Sequence, residues 1–158
     1  MTDSRRTASG RESWGDAAVD GLLAGAGGGL VMGLYLIVVS MLSSVSWEDT
    51  LAHFDPTSAG SAFTGALAHL AVAGVYGVIF GVGWRLAQRL PIARRLPTWL
   101  AGLAYGLALW LLALAVTRSG VTSGMAAWLR AFSPLHVLAA HVTFGLSLGW
   151  LLYRRAPR

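Results

Sequence analysis

The sequence predicts an all-α integral membrane protein, a four-helix bundle, on three observations. Hydrophobic residues make up 55% of the chain and charged residues only 12%, where a soluble domain carries about a quarter charged. Four apolar runs are each long enough to cross a hydrocarbon core about 30 Å thick. The basic residues flank these runs, which is how membrane topology is written. A chain of 158 residues is one domain by length. Its net charge of +5 comes from arginine alone, since lysine is absent. No soluble basic face remains to meet phosphodiester backbones, so nucleic acid is excluded as a partner. Cysteine is absent, which rules out disulfides, thiolate metal sites and cysteine nucleophiles.

Residues 1–16 mix Arg5, Arg6 and Arg11 with Asp3, Glu12 and Asp16 and hold too little apolar surface to repay the entropy of ordering. They read as a disordered tail, and residues 17–158 as a single four-span domain. The first span covers about 21–44, too long for the roughly 7–15-residue core of a secretory signal. Gly21, Gly25, Gly29 and Gly33 recur every four residues along it, leaving one face nearly bare. Bare faces are how helices associate in lipid, where hydrophobicity gives no drive between them. Asp20 sits at the mouth of this span, where an acid favours a helix N-terminus.

The connection from Val45 to Gly60 carries Glu48, Asp49, His53 and Asp55 and no arginine. The second span, about 61–84, holds His69 followed by Ala73, Gly77 and Gly81 at intervals of four. A linker broken by Pro91 and Pro97 leads to the third span, about 98–117, with Gly102 and Gly106. The polar stretch from Arg118 to Arg130 follows, with Met125 to Leu129 expected at the interface. Pro134, tolerated in a helix's first turn, opens the fourth span, about 134–153, with His141, Gly145 and Gly149. Three arginines in the first tail, four in the linker and three in the last tail make ten of the chain's twelve. The positive-inside rule then places both termini in the cytoplasm. Trp47, Trp84, Trp99, Trp128 and Trp150 fall near span ends, as an aromatic belt requires.

All four histidines lie in the outer half, and His69 and His141 stand at matching depth on parallel helices, with His136 one turn further out. Ionisable residues inside a span are costly and mark function by default. Four readings compete. His69 and His141 serve as neutral interhelical hydrogen bonders. They ligate a haem as an axial pair, with the neighbouring small residues leaving room for the ring. His53, Asp55 and His136 gather a divalent metal at the outer mouth. Or the histidines line a path for protons or substrate. No arrangement of Ser, His and Asp supports a hydrolase, and no catalytic residue is assigned.

The motifs HLAVAGVYGVIFG at His69 to Gly81, GLAYGLALW at Gly102 to Trp110 and HVTFGLSLGWLLY at His141 to Tyr153 resemble a family of small four-helix bacterial membrane proteins of unknown function. The resemblance covers roughly half the chain. It implies the four-helix fold and an intact histidine pair, and it carries no activity. The echo of the second span in the fourth also suggests two duplicated helical hairpins. The leading expectation is a non-enzymatic accessory or scaffolding subunit, or a small-molecule binder, with the lipid bilayer and other membrane proteins or further copies of itself as partners. Helix packing is assigned to Gly25, Gly29, Gly33, Gly77, Gly81, Gly102, Gly106, Gly145 and Gly149. The alternatives are a haem- or metal-binding redox protein using His69 and His141, and a small oligomeric transporter.

Overall fold

The computed structural model describes residues 13–57, 59–119 and 133–155. Four long helices, α1 (Trp14–Leu42), α3 (Ala62–Ala87), α4 (Thr98–Arg118) and α5 (Pro134–Arg155), are joined with a short helix α2 (Trp47–Ala52) and a 3₁₀ turn at Ala93–Arg95. Each long helix is long and apolar enough to cross a membrane, so the protein is a multi-pass membrane protein built as a four-helix bundle. Most of the expected tail, and the whole stretch around Met125 to Leu129, lie outside the described residues.

The first helix starts earlier than composition suggests. Ser13 accepts from the Asp16 N–H while the Asp16 carboxylate accepts from the Ser13 N–H, a capping box that satisfies two of the end's orphan donors. Arg85 of α3 and Arg89, just past its end, sit over the Trp14 ring at 5.4 and 5.1 Å from its centroid, which ties that turn to the bundle. Trp14, Gly15 and Asp16 are therefore helical, and Asp20 lies in the second turn rather than at a cap. Its carboxylate instead pairs with Arg155 of α5 at 3.6 Å. At the other end α1 stops where Ser44 takes a left-handed φ of 62° and the Val45 N–H folds back to the Ser40 carbonyl at 2.9 Å.

The connection after α1 is more than a solvated loop. Ser46 caps α2 through the Asp49 N–H, and α2 lies on α1 and α3. Gly65 permits that contact: a Cβ there would overlap the Leu51 carbonyl. Asp55 then caps the turn into α3, accepting from the Thr57 and Ser61 N–H groups, each at 2.9 Å.

The helices stand at the corners of a square. α1 packs along both α3 and α5, α5 packs along α4, and α3 touches α4 sparingly. Two antiparallel hairpins result, each closed by glycine on glycine. In the first, Gly21 and Gly25 meet Gly77, Gly81 meets Ala17 and Gly21, and Gly29 meets Ala73. In the second, Gly102 meets Gly145 and Gly149, and Gly106 meets Gly145 and the His141 carbonyl. A Cβ built on Gly25 would stand 2.6 Å from the Gly77 Cα, and one on Gly149 2.8 Å from the Trp99 Cα, distances no side chain tolerates. Gly33 is looser, 3.5 Å from the His69 ring by the same measure.

The hairpins meet along a different strip of α1. Gly28, about 100° around the helix from Gly29, faces Phe144 and Leu148 of α5. Phe144 and Leu148 form the buried centre with Ala24, Ala73 and Phe80. On the fourth side of the square Tyr105 of α4 bridges to α3, its hydroxyl donating to the Tyr76 carbonyl at 3.0 Å and its ring tilted against Phe80 at 5.2 Å.

Candidate functional site

Polar groups gather inside the bundle at two levels. The first is the histidine level, toward the end opposite the termini. His69 reaches across from α3 to α1, where its Nε2–H donates to the Gly29 carbonyl at 2.9 Å. Its ring leans on Phe54 at 4.7 Å. The bare backbone of α1 makes this bond available, since a side chain at Gly29 would collide with Ala73 and hold the helices apart.

His141 behaves differently. Its Nδ1–H donates to the Val137 carbonyl, one turn back on its own helix, at 2.8 Å. It spends that proton within α5 rather than between helices. α3 and α5 occupy diagonal corners and pack on α1 rather than on each other. Each imidazole thus has one nitrogen committed to a backbone carbonyl, Nε2 in His69 and Nδ1 in His141, so an axial pair for haem is left with Nδ1 of His69 and Nε2 of His141.

Among the described residues no group of three or more His, Asp and Glu side chains converges on a point where a metal ion would sit. The expected outer set is dispersed for local reasons. His53 Nδ1 bonds to the Asp49 carbonyl of its own helix. His136 Nδ1 shares a hydrogen bond with the Tyr35 hydroxyl of α1 at 3.2 Å. The Asp55 carboxylate is consumed by the turn that starts α3, also accepting from the Thr57 hydroxyl at 2.7 Å. The Ser61 N–H first, and the Thr57 N–H and hydroxyl after it, hold this carboxyl below the usual carboxylate range.

The second level is the end bearing the termini. There a cavity of about 60 Å³ opens among all four long helices, lined by Asp20 of α1, Trp84, Arg85 and Gln88 around the end of α3, Thr98 of α4 and Leu152 of α5. The indole Nε1–H of Trp84 is buried with no hydrogen-bond partner. Sequence reading assigned Trp84 to an aromatic belt and Asp20 to a cap, because nothing in their spacing shows that they share a cavity. Gly28 was also missed, although three glycines in a row, Gly27 to Gly29, expose backbone on more than one face of a helix.

Comparison of the chain with protein-family models, with curated proteins and with solved structures finds no match.

Proposed function

We propose that this protein is a non-enzymatic accessory or scaffolding subunit of a bacterial inner membrane, related to the small four-helix membrane proteins its motifs resemble, with both termini in the cytoplasm. The observation that supports this reading most is the pair of glycine seams. They bring the backbones of each hairpin together, and the interior donors near them, His69, Tyr105 and His141, are spent on carbonyls. Such an interior holds shape and leaves its outer faces for other proteins. α4 offers the largest of these faces, since Gly102 and Gly106 are its buried positions and Leu111 and Leu112 stand exposed.

Cross-linking in intact membranes, followed by sizing in mild detergent, tests the reading. An assembly larger than one chain, joined through α4, is the expected result. A chain that stays monomeric and cross-links to nothing overturns it. His69→Ala should leave the bundle folded, costing about 0.6 kcal/mol for the interhelical bond plus its Phe54 contact. A Soret band in the purified protein, lost in His69→Ala or His141→Ala, replaces the scaffold with the redox reading.

A further inference from the structure

The connection between α3 and α4, residues 88–97, is built unlike a water-facing loop. Its backbone closes on itself: the N–H groups of Leu90, Ala93, Arg95 and Leu96 donate to the carbonyls three residues back, at 2.8, 3.2, 3.2 and 3.1 Å. Backbone satisfied in this way can approach lipid, where unpaired polar groups are too costly to go. Ala93, 6% exposed, is its one buried residue. The large apolar side chains instead stand outward, Leu90 at 59%, Ile92 at 72% and Leu96 at 43% exposure, and the row is continued by Leu86 in α3 and Trp99 in α4. Both helices that the connection joins span the membrane by length and composition, so the bilayer surface is the nearest apolar medium for these groups.

The charges interleaved with them are all of one sign. Arg89, Arg94 and Arg95 lie in the connection, and no Asp or Glu occurs between Arg85 and Thr117. Arg94 is set in place through its Nε–H, which donates to the Gln88 carbonyl at 2.8 Å. The acids described at this end are engaged elsewhere, Asp16 with Ser13 and Asp20 with Arg155. α5 adds to the same end, since Gly149 packs on the Trp99 backbone and the next residue, Trp150, carries Arg154 over its ring at 4.1 Å. The connection at the opposite end has the reverse sign, with Glu48, Asp49 and Asp55 and no arginine, and turns its Phe54 inward onto His69. Apolar side chains set among cations match the headgroup layer of an anionic membrane.

We infer that the α3–α4 connection is an interfacial foot, which inserts Leu90, Ile92 and Leu96 below the headgroups and binds anionic phospholipid through Arg94 and Arg95. This goes beyond the scaffold reading, because it needs spanning helices and no protein partner.

The test uses the full chain as the only membrane protein in lipid nanodiscs, where both faces are accessible. The chain has no cysteine, so Ile92→Cys and, at the opposite end, the exposed Ala59→Cys each carry one environment-sensitive fluorophore. The label at position 92 should be quenched by nitroxide-bearing lipid and shielded from aqueous iodide, and the label at position 59 should show the reverse. Native mass spectrometry of the unlabelled chain, with phosphatidylglycerol competing against phosphatidylcholine, reads the headgroup preference. Phosphatidylglycerol should be retained in excess, and the excess should fall roughly fivefold for each of Arg94→Gln and Arg95→Gln. Arg118→Gln, at the far end of α4, should leave it unchanged. A label at position 92 that iodide quenches as readily as the one at position 59 overturns the foot, and is the result expected if the surface is made for a protein. Equal retention of the two lipids, or a preference that survives loss of both Arg94 and Arg95, overturns the anionic site. The labelling result is obtained with every arginine in place, so it stands even if the arginine variants misfold.

Discussion

A glycine inside this bundle is defined by what a single methyl group would strike. At Gly25 it would strike the backbone of Gly77, while at Gly83 it would meet nothing within 4 Å. Gly25→Ala should therefore cost about 1–3 kcal/mol or more, the usual penalty of forcing extra volume into a packed site. Gly83→Ala should be neutral or gain up to about 1 kcal/mol from helix propensity. Reversible unfolding of the two variants in mixed micelles measures the contrast, and equal behaviour would contradict the seam. Asp55 makes a second residue-scale case. Its folded carboxyl is held below its ordinary value by the Ser61 and Thr57 donors. The stabilisation is thus present above the unfolded value of about 3.9 and is lost as pH falls through the lower folded value. Asp55→Asn should flatten the acid limb of a stability–pH profile measured by thermal melts.

At the scale of elements, much was legible beforehand and some was not. Four spans could be read because apolar length is a property of sequence, and Pro134 and Pro97 mark helix starts that the structure uses. α2 escaped because six residues in an acidic connection have no periodicity to detect. The histidines show a subtler limit. The sequence echo makes His69 the equivalent of His141, but when the two hairpins are compared Gly77 is the equivalent of Gly145, since each meets a glycine pair on its own partner helix. By that register His141 matches Ala73, one turn away from His69. Local similarity marks which residues recur, whereas the sliding of one helix on another is fixed by where backbones can touch. α4 depends on that sliding most, being held chiefly by α5. Gly145→Leu should release α4 while leaving α1 and α3 joined. Hydrogen exchange resolved by helix in mild detergent reads the outcome: the amides of α4 should lose protection while those of α1 and α3 keep theirs.

At the scale of the whole molecule the fold is two hairpins joined through one strip of α1. A chain cut in the turn between Arg89 and Ala93 should reassemble when both pieces are co-expressed, since α3 and α4 share little beyond the Tyr105 bridge. Adding Gly28→Leu should abolish capture of the second piece by the first, because the new side chain would enter the space of Phe144 and Leu148. Co-purification on a tag carried by one piece decides the matter, and undiminished capture would show that the hairpins are held elsewhere. The same strip explains why the cavity near Asp20 was invisible in the sequence. It is made by the meeting of hairpins, and its walls come from both ends of the chain.

The double role of α1 also imposes a schedule. Its seam with α3 can close early, but Tyr35 waits for His136, 101 residues further along. At translation rates of about 5–20 residues per second, the Gly28 strip spends roughly 5–20 s in the bilayer without its proper neighbour. During that interval a bare helix face is open to any other helix that passes, so the cell's insertion machinery, or crowding of nascent copies, has its largest influence on this protein before its last span is made.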